Sequence, residues 1–320
     1  MSFNLATILR QSSAAHPHKP LCHLGEHAFS YAQVDEISGR IASSLRALGV
    51  GLGDKVAVQL PNVPHFLFAY FGILKAGAVL VPLDPSLRAP EICSQLIDCD
   101  ASLLITFETS AKEAVQGATE LDGLGTYVVK APVDASLPAG THHFDELYFA
   151  GDSDVIAPTD ADDTAVIVHT SDTTGGPKGA ALTHFQLYSS CTGAGDLFGL
   201  REEDIGMAVL PLFQWFGLSS VLNTAVRFGS TLVLVPSFDA GTVLDELARH
   251  RCTVFSGVAS MYRELSHADA ADHDLTTLRL GICGGSPPAD DVARALQRRS
   301  PNLVIRQAYG LSGATSISTA

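Results

Sequence analysis

Two stretches of the chain are written to one pattern, and that repetition limits the folds open to it. Residues 54–61 (DKVAVQLP) lead through an apolar segment to residues 77–82 (GAVLVP), and residues 204–211 (DIGMAVLP) lead likewise to residues 229–236 (GSTLVLVP). Each reads as a short apolar strand, an apolar helix, a glycine turn and a second buried strand, which is a βαβ unit. Continuous apolar runs indicate strands covered on both faces, as in parallel sheets. Further strand-like runs at residues 102–106, 253–258, 278–283 and 304–308 alternate with helical patterns such as residues 289–299. The expected fold class is α/β, with two doubly wound, sheet-based subdomains. The Asp/Pro/Ala-rich stretch 151–163 is the expected connector, which leaves residues 1–150 as the first subdomain and 164–320 as the second.

A polar loop follows that connector almost at once. Residues 164–169 (TAVIVH) read as a buried strand that delivers Thr170-Ser171-Asp172-Thr173-Thr174-Gly175-Gly176-Pro177-Lys178-Gly179. Four hydroxyls and one lysine stand within nine residues there. Glycines let backbone N–H groups approach a phosphate tail, while hydroxyls and an ammonium supply the remaining donors. A Gly/Thr-rich surface turn accounts for the glycines but not for a lysine beside four hydroxyls. Gly179 follows Lys178 where a Walker loop needs Ser or Thr, which disfavours an ordinary P-loop NTPase.

Charge and composition exclude other classes. The chain has 320 residues, is 46% hydrophobic and carries a net charge of -14, which argues against a nucleic-acid or anionic-membrane surface. Attraction for a phosphate must then be local, and Lys178 supplies it. The six cysteines show no C-x-x-C spacing and read as reduced, mostly buried thiols; with no signal-peptide pattern at the start, the expected location is the cytoplasm. Residues 66–83 (FLFAYFGILKAGAVLVPL) imitate a membrane span, but Lys75, Gly77 and Pro82 interrupt them, so they read as helix, turn and buried strand, with no transmembrane segment expected.

The loop resembles the T-S-G-T-T-G-x-P-K-G signature of the adenylate-forming (AMP-binding) enzymes, and four more blocks are similar in the same order. These are the residues from Leu60-Pro61-Asn62 to Val81-Pro82-Leu83, the aromatic block Pro211-Leu212-Phe213-Gln214-Trp215-Phe216-Gly217, the turn Cys283-Gly284-Gly285-Ser286-Pro287 and the late block Gln307-Ala308-Tyr309-Gly310-Leu311-Ser312. The resemblance covers nearly the whole chain and falls nearest the acyl-CoA synthetases. It implies that Thr170, Ser171, Thr173, Thr174, Gly175 and Lys178 hold the β- and γ-phosphates of ATP. It also implies that Gly285, Ser286, Pro287, Tyr309 and Gly310 surround adenine, with Ser312 near the α-phosphate. Phe213, Gln214, Trp215 and Phe216 would line the acyl pocket; the aromatics taken alone read first as core packing, and it is the order of the blocks that favours the pocket. The implied reaction joins a fatty or other hydrophobic carboxylic acid to ATP as an acyl-adenylate and then to CoA as a thioester, with Mg2+ as the metal.

The sequence departs from the family pattern at three positions, two of which, Asp172 and Gly313, oppose that activity, while the third, Gln214, bears on acyl specificity. Asp172 replaces the loop's third-position glycine; a carboxylate some 5 Å from one phosphate charge, at an effective dielectric near 20, costs roughly 3 kcal/mol per charge. Gly313 stands where the family has a magnesium-binding glutamate, so no metal ligand is expected there. Gln214 occupies a frequent histidine position. The sequence also stops at Ala320, before the family's ribose-binding, hinge and lid blocks, so the catalytic lysine of the C-terminal lid domain is not among its residues. Two readings follow: an acid:CoA ligase, with a lid domain acting in trans as one expected partner, or a catalytically defective binding protein of the same fold.

Overall fold

The computed structural model describes residues 2–130, 136–148, 151, 154–170, 178–269, 273–310 and 317–319. The chain begins with α1 (Thr7–Ala15), β1 (Pro20–Leu24), β2 (His27–Ser30), α2 (Tyr31–Ala47), β3 (Lys55–Gln59), α3 (Pro64–Ala76), β4 (Val79–Pro82) and α4 (Ala89–Cys99). Then come β5 (Ala101–Phe107), α5 (Ala111–Ala118), β6 (Gly125–Val129), β7 (His142–His143), β8 (Thr164–Thr170), β9 (Lys178–Thr183), α6 (His184–Phe198) and β10 (Ile205–Ala208). A π-helical stretch, Phe216–Asn223, precedes α7 (Thr224–Phe228), β11 (Thr231–Leu234), α8 (Ala240–Arg249), β12 (Val254–Val258), α9 (Ala259–His267), β13 (Leu280–Gly284), α10 (Asp290–Arg299), β14 (Val304–Gly310) and β15 (Ile317–Thr319).

Two compact units result. The first comprises Met1–Ala14, Ala32–Pro61 and His65–Tyr188; the second comprises Ala15–Tyr31, Asn62–Pro64 and Ser189–Ala320. The first holds a seven-stranded sheet in the order β7-β6-β5-β3-β4-β8-β9, and the second an eight-stranded sheet in the order β15-β14-β13-β12-β10-β11-β1-β2. Pairing is parallel except at the edges, where β9, β2 and β15 run antiparallel to their neighbours.

The sequence echo is a structural echo. The order β4-β3-β5-β6 in one unit matches β11-β10-β12-β13 in the other. Asp54 accepts a 2.8 Å hydrogen bond from the Gly51 N–H, as Asp204 does from the Arg201 N–H. Val79 N–H donates to the Asp54 carbonyl and Thr231 N–H to the Asp204 carbonyl, at 2.8 and 3.0 Å. The helices end alike too: Ala78 N–H reaches the Ile73 carbonyl and Ser230 N–H the Ala225 carbonyl, both at 3.0 Å. Gly77 and Gly229 between them take φ values of 82° and 71°. That left-handed cap strains any residue with a Cβ, which is why both turns are written with glycine.

The division between the units differs from the expected one. β8 pairs with β4 through Leu80 and Val166, so the strand expected to open the second subdomain belongs to the first sheet. The connector is also tied down: Ala157 N–H donates to the Lys75 carbonyl at 2.8 Å, and Thr159 exchanges hydrogen bonds with the Phe3 backbone. A Pro/Asp-rich composition signals irregular backbone, and here that backbone is bonded to the unit it follows.

Residues 66–83 form most of α3, the Gly77 turn and β4, as the interruptions suggested. Among the described residues no helix is long and apolar enough to cross a membrane. Lys75 is fully buried, with Nζ 2.6 Å from both Asp35 Oδ1 and the Asp35 carbonyl.

In the second unit, β13 separates two apolar layers. Cys283 faces the layer built with α8, α9 and α10, while Leu280 and Ile282 face the layer that includes Ala194 and Phe198 of α6 and the Phe216 ring.

Candidate functional site

In a doubly wound sheet, ligands bind beyond the carboxyl ends of the strands, near the point where the strand order reverses. In the second unit that reversal lies between β10 and β12. Phe213, Gln214, Trp215 and Phe216 follow β10, Gly285, Ser286 and Pro287 follow β13, and Tyr309 and Gly310 end β14. All of these predicted residues therefore fall on one sheet edge.

Asn62 holds the segment after β10 in place. Its side chain is 2% exposed, donates to the Ala208 and Leu210 carbonyls at 2.9 and 3.0 Å, and accepts the Leu212 N–H at 2.9 Å. Backbone that has left a strand needs such partners when buried. Sequence reasoning placed Asn62 in a block without a role; only the Pro-Asn pair signalled it.

Beyond that clamp the chain exposes Gln214 and half-buries Phe213, Trp215 and Phe216. The Trp215 and Phe216 rings lie 5.8 Å apart with planes tilted by 35°. Phe216 is packed on Gly284: a Cβ added there would stand 2.4 Å from the ring. The aromatic block and the glycine turn are thus in direct contact.

The turn after β13 is open. Gly285 takes φ 79°, and Gly285, Ser286 and Pro287 are exposed. Cys283 Sγ donates to the Ser286 carbonyl at 3.3 Å, and burial pushes this thiol up to about 11, so it stays protonated at neutral pH. Gly284 pairs with Ala308, which brings Tyr309, 53% exposed, to the adjacent strand end. An exposed ring beside an open glycine turn can receive a flat ligand between strand ends.

The other group of predicted residues belongs to the first unit. Thr170 ends β8 and Lys178 starts β9, and the two are paired across the base of the hairpin. Ser171, Asp172, Thr173, Thr174 and Gly175 lie outside the described residues, as do Ser312 and Gly313 of the late block. Lys178 is exposed. At the same base, His169 Nε2 lies 3.1 Å from Asp98 Oδ2, joining the hairpin to the last turn of α4. No sequence signal links two residues that far apart.

Among the described residues no group of three His, Cys, Asp or Glu side chains is disposed to hold a metal ion. Gly313 offers no carboxylate where the resemblance puts a magnesium ligand, so the residues at that position do not fit a protein-held Mg2+.

Comparison with known proteins agrees with this architecture. The chain matches the AMP-binding enzyme family over residues 9–320 and belongs to that family. It is 35% identical over 301 residues to a feruloyl-CoA synthase of an Amycolatopsis species, covering 93% of this chain and 57% of that one. It is 31% identical to 4-coumarate--CoA ligase 3 of Oryza sativa subsp. japonica, covering 90% and 52%. The chain thus spans little more than half the length of these curated relatives. Among solved structures, the anthranilate CoA ligase AuaEII in complex with anthranoyl-AMP superposes with a TM-score of 0.91 at 24% identity, covering 97% of this chain and 60% of that one. The inhibitor-bound N-terminal domain of FACL13 from Mycobacterium tuberculosis superposes with a TM-score of 0.86 at 26% identity, covering 97% and 76%.

Proposed function

We propose that this chain carries the nucleotide- and acid-binding part of an ATP-dependent acid:CoA ligase acting on a hydrophobic carboxylic acid. The observation that carries the proposal is the grouping of Phe216, the Gly284-Gly285 turn and Tyr309 at neighbouring strand ends in a member of the AMP-binding family. Relatives named for ferulate and 4-coumarate favour an acid bearing an aromatic ring over a plain fatty acid.

In this reading the acid's carboxylate oxygen attacks the α-phosphorus of ATP, the bond to pyrophosphate breaks, and an acyl-adenylate forms. A CoA thiolate then attacks the acyl carbonyl and AMP leaves. Thr170, Ser171, Thr173, Thr174, Gly175 and Lys178 would bind the departing pyrophosphate, where fixed donors serve developing charge best. Gly285, Ser286, Pro287, Tyr309 and Gly310 would hold adenine, Ser312 would stand by the α-phosphate, and Phe213, Gln214, Trp215 and Phe216 would hold the acid. Six free thiols suit a reducing compartment, so the cytoplasm is the proposed location.

Asp172 and Gly313 favour a second reading, in which the chain binds an acid or nucleotide without turnover. ATP–pyrophosphate exchange across a panel of aromatic and fatty acids separates the two. Acid-dependent incorporation of isotope into ATP supports the ligase; no exchange with any acid, together with retained binding, supports the second reading.

A further inference from the structure

The first unit has another edge, at the amino ends of its strands, that the proposed chemistry leaves unused. A cavity of about 550 Å3 opens there, lined among others by Leu52, Lys55 of β3, Val79 of β4, Asp160, Asp163 and Ile167 of β8. Cavities of that size take a whole small molecule. Every lining residue belongs to the first unit. Thr164 of β8 borders the cavity, while Thr170, where the predicted phosphate loop begins, ends the same strand about 20 Å further on. The cavity is therefore separate from the predicted nucleotide residues.

Its chemistry is mixed, and the sheet register sets the layout. Lys55 pairs with Val79, and Leu80, next along β4, pairs with Val166. Lys55 and the start of β8 thus stand on opposite sides of β4, two strand spacings or about 10 Å apart. Side chains alternate between the faces of a sheet, so Lys55, Val79 and Ile167 share one. An apolar floor accordingly runs between the lysine and the segment that carries Asp160 and Asp163.

Lys55 is half-buried, and its ammonium makes no hydrogen bond or ion pair among the described residues. Asp160 and Asp163 are exposed, and one carboxylate oxygen of Asp163 accepts the Asp160 N–H at 2.8 Å. A ligand that is only an anion suits Lys55 and is repelled by the aspartates; a ligand that is only a cation meets the reverse. Charge complementarity at both ends requires a molecule that carries both signs.

We infer that this cavity is a second ligand site and takes a zwitterion with an apolar side chain, an α-amino acid or a dipeptide with free termini. The carboxylate lies on Lys55, the ammonium on Asp160 and Asp163, and the side chain on Val79 and Ile167. The inference goes beyond the ligase reading and does not depend on it.

Calorimetry with leucine, leucyl-leucine, N-acetylleucine and leucinamide tests it. The tighter of the first two binders shows whether the free amino acid or the dipeptide is the better fit. N-acetylleucine lacks the ammonium and leucinamide the carboxylate, and each should bind about tenfold more weakly than leucine, the worth of one charge-assisted hydrogen bond. Lys55→Met keeps the apolar stem and should weaken leucine about tenfold while leaving leucinamide unchanged. Asp163→Asn should weaken leucine by a similar factor and N-acetylleucine little. Asp160→Asn probes the same end should the Asp163 variant lose its backbone contact and unfold. No binding of either zwitterion, or a leucine affinity unmoved by Lys55→Met, overturns the inference. So does N-acetylleucine or leucinamide binding as tightly as leucine. Affinity for a non-hydrolysable ATP analogue should be the same in the wild type and all variants; its absence from the wild type would strike the ligase reading and leave this site standing.

Discussion

Lys75 Nζ lies 2.6 Å from Asp35 Oδ1 with the lysine wholly out of solvent, while Arg10 Nε holds the other carboxylate oxygen at 2.8 Å. The two cations are unequal. Asp35→Asn strands a buried ammonium and should cost about 3–5 kcal/mol, whereas Lys75→Met leaves Asp35 still paired with Arg10 and should cost less. Urea denaturation of both variants checks that order. Burial also pulls Lys75 down to about 8 from 10.5, although Asp35 opposes the shift. Between those values the unfolded chain binds more protons than the native one, so the wild type should gain stability as pH rises through that window.

Acid should act in the opposite sense through two histidines. Burial pulls His65 and His184 down to about 4. His184 Nδ1 already accepts the Leu5 N–H at 3.1 Å, so a second proton has no place there. As pH falls from the ordinary histidine range toward 4 the unfolded state takes up protons first, and His184 alone should cost roughly 3 kcal/mol of stability. Urea midpoints measured from neutral pH downward should fall, and the His184 ring resonances should stay those of the neutral form until near pH 4.

Gly77 and Gly229 share a backbone conformation but not surroundings. A Cβ on Gly77 would meet Leu52 Cδ2 at 2.6 Å and Ala157 Cβ at 3.0 Å, while on Gly229 the nearest atom is His16 Cδ2 at 3.1 Å. Gly229→Ala should cost about 1–2 kcal/mol for the left-handed backbone alone, and Gly77→Ala more. Equal losses in chemical denaturation would show that the contacts at Gly77 relax freely.

Asp172→Gly should raise ATP affinity about a hundredfold if its charge opposes the triphosphate, in keeping with roughly 3 kcal/mol per facing charge. Titration with ATP in low and high salt measures it. An unchanged affinity would show that Asp172 does not face the nucleotide.

The repeated βαβ units were legible because strand, helix and glycine turn leave local marks at short range. Residues 66–83 were legible for the same reason, since Gly77 and Pro82 punctuate them. The partner of Lys75 was not, because Asp35 sits on another helix and pairing between distant residues has no period. Nor was the unit boundary: a strand's composition shows that it is buried, not which sheet edge accepts it, and β8 joined β4. The aromatic block and the glycine turn were each visible, yet the seating of Phe216 on Gly284 is a contact between separate segments. Asn62 was hidden differently, because its three hydrogen bonds all go to backbone, which no residue pattern reports.

The pairing of β1 with β11 has a consequence for the order of assembly. Cys22 is matched with Leu232, so one of the earliest strands made waits for some 210 further residues before its partner exists. At about 5–20 residues per second that is roughly 10–40 s on the ribosome. Meanwhile every strand of the first sheet has emerged and can pair. Cys22, buried in the finished protein, should then react with a thiol reagent in nascent chains arrested before Thr231 and be shielded in chains carried well beyond Leu234. Synthesis thus leaves the N-terminal hairpin as a loose end until the second sheet is built to receive it.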